Sequence, residues 1–565
     1  MKNTKRARRA AAFAAAVVMA ACAAIPMGSS FSASAAGNNS ITIEGFNTTE
    51  NNDNGTHTYE AYQVFAGQYA GGVLSNITWG SGVDGDAIVA DLANATGDLV
   101  AFKGLDSAKA IAEELAKATD NDAVAKAFAA LVGKNLKDNA KSGTYAGGKI
   151  DGLEDGYYLV QDASNSPSDA TGANNNGAKT RFILKVAGGG DVTVTAKSSA
   201  PSVVKKVKEN TDVSDYVYTD ATGQKTDDDY NDVADYNIGD AVPFKLYGTM
   251  PSTIEDYSKY KYVFHDTLGT QFDAPAAGNV IVKIDGTAVT NADVNVTGQT
   301  ITVTFNDIKD GNKITKDSVV TVEYTAVLNS TAEIGLNGQE NEVYLTYSNN
   351  PNWTGEGTPE DSGKTPEDKV IVFTYELDVT KYLGDKSKTA DADADKGTQA
   401  GFKLKNAAGN FAVVAENANH ELRITGWNDA GTEVKTNAEG IFKFIGLDDG
   451  EYTLIETTTP TGYNTMADLN LTIDATTSNV QDWNFGAENA AKSALSAIKL
   501  TINNEETAGD TDTGTVKTDI INQKGSSLPS TGGIGTTMFY VGGGVLVAGA
   551  GVLLITKKRA KKDAE

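Results

Sequence analysis

Two apolar segments, one near each end of the 565-residue chain, confine the folded part to the residues between them. Near the N terminus, basic residues up to Arg9 precede an apolar run over 10–24, and the small residues 34–36 follow it. This order is typical of a secretory signal peptide that is removed from the mature protein. The sequence therefore predicts a signal peptide over 1–36 and a mature chain that begins at Gly37.

The second apolar segment spans about 538–556 and is followed by basic residues at 557–562. Its length is close to the roughly 20 residues that cross a hydrocarbon core, and the basic cluster favours the cytoplasmic side. Directly before it stands the pentapeptide Leu528, Pro529, Ser530, Thr531 and Gly532. This arrangement resembles the LPxTG sorting signal of Gram-positive surface proteins, which a sortase cuts between Thr and Gly before passing the acyl group to an amine. The alternative is an ordinary membrane anchor.

The single cysteine, Cys22, lies inside the predicted signal peptide. The mature chain is therefore expected to contain no disulfide, although disulfides form readily outside the cell. A lipidated Cys22 is the alternative, since residues 19–22 carry a weak lipobox pattern. The formal net charge of −26 argues against electrostatic binding to nucleic acid and predicts a solvated acidic surface.

Short alternating strands separated by Gly, Asn and Asp turns dominate after about residue 145, as is typical of β-sandwiches. The predicted fold is mainly β, with tandem immunoglobulin-like sandwiches and a C-terminal transmembrane helix. Two Ala-rich stretches predict helices packed on the first sandwich. The expected units are a first domain at 37–200, a middle domain at 201–350, a linker at 351–369, a third domain at 370–527 and the sorting region at 528–565.

A short stretch of similar sequence occurs in both the first and the third domain. Residues 153–162 and 447–456 share a turn, a glycine and a strand, so the two domains are expected to share a sandwich type. The second copy continues from Glu456 to Tyr463 in a pattern that resembles the E-box of Cna B-type domains and departs from it only at Thr459. The resemblance implies an isopeptide bond between a lysine and an asparagine on neighbouring strands, assisted by a buried carboxylic acid.

Strand parity indicates which residues of the third domain would form this bond. Lys381 has the same parity as the apolar residues before it, and side chains alternate across a strand, so Lys381 is expected to face the core. The same argument turns Glu456 and Asn522 inward. Burial favours a neutral Lys381 amine as nucleophile and a neutral Glu456 acid as proton shuttle. The alternative is a plain ion pair between Lys381 and Glu456.

The middle domain offers a similar set of residues. By resemblance to the middle domains of sortase-assembled pilins, Lys205, Asn349 and the acid Asp240 are assigned to a second crosslink. Asn341 has the same parity as Asn349, and Asp266 can replace Asp240, so both choices stay open. The remaining alternative is that Lys205 is a surface residue.

The first domain lacks a nucleophile on its opening strands, because no lysine occurs between Gly37 and Phe102. Asp162 aligns with Glu456 but is therefore expected to be an ordinary strand-end residue without a crosslink. Lys197 lies where the first domain should end, and by position it resembles the pilin-motif lysine of major pilins, although its neighbours differ from that motif. The alternative is a solvated lysine.

Together these features resemble a sortase-assembled major pilin of Gram-positive bacteria. The resemblance implies a covalent head-to-tail fibre on the cell wall, in which sortase cleaves after Thr531 and Lys197 of another subunit receives the acyl group. The implied partners are a pilus-specific sortase, identical subunits, minor tip and base pilins, peptidoglycan through a housekeeping sortase, and an unknown host protein or glycan. The alternative function is a wall-anchored adhesin that does not polymerise.

A tethered enzyme is less well supported by the sequence. The chain has only three histidines, and neither GxSxG nor HExxH occurs. Acidic clusters at 227–232 and 391–395 lack the glycine and glutamate of an EF-hand loop, so solvated loops are expected there. No metal or cofactor is expected, and the only predicted chemistry is the single-turnover formation of isopeptide bonds.

Overall fold

The computed structural model describes residues 37–45, 52–53, 55–119, 122–137, 140–164, 177–210, 217–219, 225–228, 230–353, 362–390, 398–417, 419–478, 483–525 and 534–562. The predicted signal peptide, the acidic cluster at 391–395 and the pentapeptide Leu528 to Gly532 lie outside the described residues. Strands dominate the rest, so the predicted mainly β architecture is confirmed.

The first unit combines β-sheets with helices. Its strands are β1 (Asn39–Glu44), β2 (Tyr59–Ala70), β3 (Val73–Trp79), β4 (Gly143–Thr144), β5 (Lys149–Leu153), β6 (Gly156–Asp162), β7 (Ile183–Ala187) and β8 (Asp191–Thr195). Its helices are α1 (Gly85–Ala93), α2 (Ala108–Leu115) and α3 (Ala123–Lys134), with a 3₁₀ turn at Gly97–Phe102. One sheet has the order β5-β1-β8, and the other has the order β3-β2-β6-β7 with β4 also paired to β2.

Each of these helices begins at a side-chain cap. Asp84, Ser107 and Asp122 each accept a hydrogen bond from a backbone N–H three residues further on. Apolar residues of the helices then pack in one core with Phe65 and Tyr157 of the β2-β6 sheet. The helices therefore cover one face of that sheet, as expected, although α1 lies outside the predicted helical stretches.

The middle unit is a pair of sheets. Its strands are β9 (Val203–Lys208), β10 (Val217–Thr219), β11 (Lys225–Asp228), β12 (Tyr230–Asn231), β13 (Val233–Asp235), β14 (Ala241–Thr249), β15 (Tyr262–Leu268), β16 (Phe272–Asp273), β17 (Ile281–Ile284), β18 (Thr287–Ala288), β19 (Asp293–Thr297), β20 (Thr300–Phe305), β21 (Val319–Leu328), β22 (Gln339–Ser348), β23 (Ser362–Lys364) and β24 (Asp368–Phe373). Short 3₁₀ turns occur at Ile254–Asp256, Ala277–Asn279 and Gly335–Asn337. One sheet has the order β12-β9-β14-β21-β17-β18, the other has the order β13-β24-β22-β15-β20-β19, and β10 pairs with β11 as a separate hairpin.

The middle unit extends past the predicted linker, because β24 pairs with β22 and β13. The apolar run from Ile371 to Lys381 is therefore divided between two strands in different sheets. The division falls at Thr374, whose carbonyl accepts a hydrogen bond from the Gly335 amide at 3.3 Å and whose hydroxyl donates to the Leu447 carbonyl at 3.1 Å. These contacts redirect the backbone from one sheet to the next.

The third unit is a second pair of sheets. Its strands are β25 (Tyr375–Leu383), β26 (Asp385–Thr389), β27 (Gly401–Asn406), β28 (Phe411–Glu416), β29 (Leu422–Asn428), β30 (Val434–Lys435), β31 (Ile441–Leu447), β32 (Gly450–Thr458), β33 (Leu469–Thr477), β34 (Leu495–Ile502), β35 (Glu505–Ala508) and β36 (Thr515–Asn522), with a short helix α4 (Ala490–Ala494). One sheet has the order β26-β25-β31 with β36 on β25, and the other has the order β29-β28-β27-β32-β33-β34-β35 with β30 on β27.

The middle and third units share a continuous apolar core. After the third unit, the described chain resumes with helix α5 (Ile534–Lys562). Its segment Met538–Arg559 is long and apolar enough to cross a membrane, and it is not buried against the rest of the protein. This observation agrees with the transmembrane segment that the sequence predicts.

Candidate crosslinking sites and the acceptor lysine

A buried lysine and a buried asparagine meet where β25 and β36 run parallel. These are the first and last strands of the third unit, and their pairing sets Lys381 opposite Ile520 and Leu383 opposite Asn522. Alternation along both strands turns Lys381 and Asn522 to the interior, where neither exposes more than 1% of its surface. Glu456 on β32 reaches the same place from the facing sheet and is also buried.

The three side chains form a continuous hydrogen-bonded set. Lys381 Nζ donates to Asn522 Oδ1 at 2.5 Å, and Asn522 Nδ2 donates to Glu456 Oε1 at 2.6 Å. Lys381 Nζ lies 3.8 Å from the same oxygen of Glu456. The amide of Asn522 therefore stands between the amine and the carboxyl group, which is the order that attack of the amine on the amide carbon requires.

The surroundings of this set are largely apolar. Lys381 Nζ lies 5.4 Å from the centre of the Phe402 ring and 3.7 Å from Met466 Sδ. Burial lowers the pKa of Lys381 to about 8, and the charge of Glu456 opposes this effect. A substantial share of the amine is consequently neutral near physiological pH. The second oxygen of Glu456 accepts the Met466 backbone N–H at 2.8 Å, which fixes the orientation of the carboxyl group.

The middle unit contains a second buried lysine with a different set of neighbours. Lys205 on β9 is fully buried, and its Nζ donates to Asp266 Oδ2 at 2.5 Å and to the Tyr324 hydroxyl at 3.0 Å. Asn341 Nδ2 donates to the same hydroxyl at 3.0 Å. Tyr324 therefore joins the lysine, the acid and the amide in one buried cluster.

The structure does not bring the two residues first assigned to Lys205 near its amine, and this corrects those assignments. Asp266 on β15 pairs with Val343 of β22, two positions from Asn341, whereas Asn349 lies beyond the other end of β22. A strand rises by about 3.3 Å per residue, so Asn349 is roughly 26 Å further along the sheet than Asn341. The sequence analysis correctly predicted which face of the strand Asn349 occupies, but it did not predict how far along the strand Asn349 lies from Lys205.

Asp240 is displaced from Lys205 for a similar reason. On β14, Leu246 pairs with Lys205, and Asp240 precedes that strand by one residue. Asp240 accepts a hydrogen bond from Asn237 Nδ2 at 3.0 Å and is half-buried at the junction with the third unit. Asp266 is thus the acid at the Lys205 site.

Burial sets the protonation of the Lys205 cluster. It lowers the pKa of Lys205 and raises the pKa of Asp266, while the attraction between the two groups acts in the opposite sense on each. Among the described residues, Asn341 Oδ1 has no hydrogen-bond partner. A buried carbonyl oxygen without a donor is energetically costly.

In the first unit, Asp162 is more than a strand-end residue, which corrects that expectation. It is buried at the end of β6 and accepts a hydrogen bond from His57 Nδ1 at 2.8 Å, while His57 Nε2 lies 3.2 Å from Asp53 Oδ1. Burial opposes charge on His57, but its two aspartate partners outweigh burial and raise the pKa to about 9. Asp162, which aligns with Glu456, thus holds a buried cation together with Asp53.

Lys197 follows β8 at the junction of the first and middle units, and its side chain is exposed. It lines an open pocket of about 400 Å³ together with Gly45, Lys126, Ala196, Ser198, Ser252, Thr253, Glu255 and Asp256. Asp256 forms ion pairs with Lys126 at 3.0 Å and with Arg181 at 3.2 Å. These contacts hold the two units together beside Lys197.

Tyr324, His57 and Asp53 take part in these clusters, and the sequence analysis does not identify them. Tyr324 carries a signal, because it shares parity with Val320 and Val322 in the apolar alternation of β21. His57 has no comparable local signal, since its partner Asp162 is 105 residues away.

Comparisons with known proteins agree with this architecture. A prealbumin-like fold domain of the SpaA type matches residues 387–485, which include the E-box, and the LPXTG cell wall anchor motif matches residues 520–563. The trypsin-resistant surface T6 protein of Streptococcus pyogenes serotype M6 is 24% identical over 431 residues, which cover 65% of this chain and 71% of that protein. The chain is thus similar to pilins over part of its length and carries a cell wall anchor motif.

The solved structures of similar proteins are themselves pilins. The T6 backbone pilin of S. pyogenes serotype M6 is 18% identical with a TM-score of 0.49, and the match covers 86% of this chain and 99% of that one. The major pilin SpaA of Corynebacterium diphtheriae is 16% identical with a TM-score of 0.41, covering 86% and 100%. The family and anchor matches confirm the predicted resemblance to sortase-assembled pilins and the predicted location on the cell wall.

Proposed function

We propose that this chain forms the shaft of a covalently polymerised pilus, in which a pilus-specific sortase joins Thr531 of one subunit to Lys197 of the next. Lys197 is exposed at the junction of the first and middle units, and the anchor region lies at the opposite end of the chain. An acceptor near one end and a donor at the other produce an open filament rather than a closed ring. This placement supports head-to-tail growth.

Internal amide bonds would make each subunit resistant to force. The observation that carries this part of the proposal is the buried Lys381, Asn522 and Glu456 set, with the amine 2.5 Å from the amide of Asn522. Neutral Lys381 Nζ attacks Cγ of Asn522, the amide nitrogen leaves as ammonia, and a new amide joins the two side chains. Glu456 takes the proton from the attacking amine and returns it to the leaving nitrogen.

The orientation of the Asn522 amide bears on the role of Glu456. In the structure Asn522 Nδ2 faces Glu456, which is the nitrogen that must be protonated to leave. A half-turn of the amide exchanges two groups of similar shape and places the carbonyl oxygen against Glu456 instead. In that orientation a protonated Glu456 donates to the oxygen on which negative charge develops. Either orientation keeps the acid in contact with the reacting amide.

For the middle unit we assign the equivalent reaction to Lys205, Asn341 and Asp266. Lys205 already contacts Asp266, and Tyr324 connects the amine to the Asn341 amide through two hydrogen bonds of 3.0 Å. Small movements of the flexible lysine side chain would bring Nζ to the amide carbon. Asp266 would then serve as the proton shuttle, in the role that Glu456 has in the third unit.

Both proposed bonds connect the opening strand of a unit to one of its late strands. In the third unit the connection joins β25 to β36, which are hydrogen-bonded neighbours in parallel orientation. Pulling on the two ends of the unit would load this bond before the sheet could unzip. A shaft of such subunits would resist extension through covalent bonds rather than through hydrogen bonds alone.

Minor tip and base pilins, peptidoglycan joined by a housekeeping sortase, and a host protein or glycan complete the proposed set of partners. The competing function is a wall-anchored adhesin that stays single. It needs the same sandwich units but gives Lys197 no role. The two functions therefore differ in whether Lys197 becomes joined to another subunit.

The deciding experiment is a denaturing immunoblot of wall protein released by muramidase. Cells that make the natural chain should give a ladder of covalent multimers, and cells that make Lys197→Ala should give monomer. The matched control is Lys316→Ala, which removes another exposed lysine and should keep the ladder. Monomer from the natural chain would support the single adhesin, and a ladder from Lys197→Ala would move the acceptor to another lysine.

A further inference from the structure

Lys206 is a second buried lysine on β9, and it faces away from the Lys205 site. Only 1% of its surface is exposed, and its Nζ donates to Asp232 Oδ1. The antiparallel pairing of β9 with β12 sets Lys208 opposite Tyr230 and Val207 opposite Asn231. One step further in the same register places Lys206 opposite Asp232, so the contact is a direct cross-strand one.

The other oxygen of Asp232 has its own donor. Asp232 Oδ2 accepts the backbone N–H of Trp483 at 2.7 Å, and this amide belongs to the third unit. A backbone N–H aimed at a carboxyl oxygen is the arrangement that stabilises negative charge in acyl transfer. The two oxygens of Asp232 thus have different surroundings, one facing an amine and the other facing a fixed donor.

A second carboxyl group adjoins the pair. Asp368 at the start of β24 accepts the Lys205 backbone N–H through Oδ2 at 2.6 Å, and the charges of both Lys206 and Asp232 act on it. Burial raises the pKa of Asp368 to about 6, although the Lys205 backbone hydrogen bond and the charge of Lys206 lower it. A group with a pKa near neutrality can accept and return protons under physiological conditions.

We propose that Lys206 and Asp232 are joined by an amide bond, which gives the middle unit a second internal crosslink on the opposite face of β9 from Lys205. The bond differs chemically from the Lys–Asn crosslinks because its acyl group is a carboxyl. It releases water, whereas a Lys–Asn bond releases ammonia.

The reaction balances within the pair. Proton transfer from the Lys206 ammonium to Asp232 gives a neutral amine and a neutral acid. Nζ then attacks Cγ of Asp232 and forms the C–N bond, while negative charge collects on Oδ2 beside the Trp483 N–H. The C–Oδ1 bond breaks, and Oδ1 leaves as water with one proton from the acid and one from the amine.

The alternative is a permanent ion pair, and energetics favour the amide. An ion pair at this depth keeps two desolvated charges, a cost of several kcal/mol per ion that close contact offsets only in part. The amide carries no charge, and its carbonyl oxygen Oδ2 keeps the hydrogen bond from Trp483. The contact geometry supplies the effective concentration that uncatalysed amide formation in water lacks.

The bond would join the two ends of the chain segment between Lys206 and Asp232. Residues 206 and 232 are 26 positions apart, and the chain between them includes the β10-β11 hairpin. With this bond in place, both ends of the segment would stay attached to the sandwich even if the hairpin unfolded. Strand β9 would carry a covalent bond on each face, at consecutive residues.

Peptide mass spectrometry of the full mature chain tests the proposal. Chymotrypsin cuts after Tyr230 and Tyr236, on either side of Asp232, and does not depend on lysine. We expect the Asp232 peptide to be recovered joined to the peptide that contains Lys206, with the loss of one water. Recovery of the natural Asp232 peptide as a separate, unmodified species would overturn the proposal.

Three variants locate the bond. Lys206→Arg keeps a cation but lacks the amine, so the Asp232 peptide should be released from the linked product, whereas Lys205→Arg should leave it attached. Asp232→Asn should give a linked product of the same mass as the natural chain, because loss of ammonia from the amide yields the identical bond. The proposal would be contradicted if Lys205→Arg released the Asp232 peptide and Lys206→Arg did not, because the bond would then involve Lys205.

Discussion

The ends of β6 and β32 carry the same strand pattern but hold different chemistry. In the first unit, Asp162 binds His57, which also contacts Asp53, and the cluster is a set of buried charges. In the third unit, Glu456 binds the amide of Asn522, which in turn accepts a hydrogen bond from Lys381. The same scaffold position therefore supports an ionic cluster in one unit and a potential covalent bond in the other.

The difference follows from what the first strand of each unit contributes. Strand β25 presents a buried lysine, whose amine is a nucleophile when neutral. The opening strands of the first unit contain no lysine, and the partner of Asp162 is a histidine. An acid at this strand end is thus not diagnostic of a crosslink by itself, because its neighbour decides whether it balances a charge or shuttles a proton.

Removal of the Lys381 amine should have the largest effect on stability. Loss of the proposed bond, which would join residues 141 positions apart, should lower the free energy of unfolding of the third unit by about 5 kcal/mol, the chain-entropy effect of a crosslink of this span. The Lys381→Met variant keeps most of the apolar volume, and urea unfolding followed by the fluorescence of Trp427 and Trp483 measures the change.

Lys386→Met is the matched control for that variant. Lys386 lies on the neighbouring strand β26, and its ion pair with Asp519 is exposed. Its loss should change the free energy of unfolding by less than about 1 kcal/mol. Equal effects of the two variants would show that no special bond exists at Lys381.

Removal of the cation in the first unit should have the second largest effect. His57→Gln leaves Asp53 and Asp162 buried without a positive partner, which should cost about 3 kcal/mol. Thermal unfolding of the first unit measures the loss. The companion variant His265→Gln, at a half-buried histidine whose ring nitrogen contacts Thr346 rather than an acid, should cost less than about 1 kcal/mol. An unchanged melting temperature in His57→Gln would contradict the ionic account.

The two clusters should respond to pH with opposite signs. The pKa of folded His57 is about 9, above its usual 6.5, so its stabilising contribution is complete below 6.5 and is lost as pH rises through 9. The pKa of folded Lys381 is about 8 when it is not crosslinked, below its usual 10.5, so its cost is complete below 8 and falls as pH rises towards 10.5.

Asn522→Ala, which removes the acyl group, allows this comparison in a single protein. Between pH 8 and 9 the first unit should lose stability and the third unit should gain it, each by at most about 1.4 kcal/mol per pH unit for one proton. Denaturation of the two units at several pH values measures both slopes. Slopes of the same sign would contradict the assigned protonation states.

The smallest expected effect on stability comes from removal of the Tyr324 hydroxyl in the middle unit. Tyr324→Phe removes the hydroxyl that contacts Lys205, Asp266 and Asn341 while keeping the ring. It should cost about 1 kcal/mol and slow crosslink formation at Lys205 without changing the third unit. Time-resolved mass analysis of freshly refolded protein measures the rate. An unchanged rate at Lys205 would remove Tyr324 from the reaction.

The sequence was sufficient to predict that Lys381, Glu456 and Asn522 lie together in the third unit, because strand alternation and the E-box pattern indicated the same site. Alternation decides which face a side chain occupies, and that was sufficient for Lys381, Glu456 and Asn522. In the middle unit, Asn341 and Asn349 have equal parity, so alternation could not separate them. Their separation depends on the register of β15 against β22, which is a long-range property of the sheet.

Other features were beyond the sequence for similar reasons. The break at Thr374 depends on contacts with Gly335 and Leu447, which are distant in the chain. The cluster of His57 with Asp162 joins residues 105 positions apart, and no local pattern marks it. Helix α1 is short and capped by Asp84, and its apolar residues are too few to stand out against the surrounding strands.

The most direct test of the account is the recovery of linked peptides from the mature natural chain and from Glu456→Gln. The account predicts that the peptides containing Lys381 and Asn522 are joined in the natural chain with the loss of one ammonia, and that they are separate in Glu456→Gln. Separate, unmodified peptides from the natural chain would contradict the account, because the buried lysine would then be only a charge partner for Glu456.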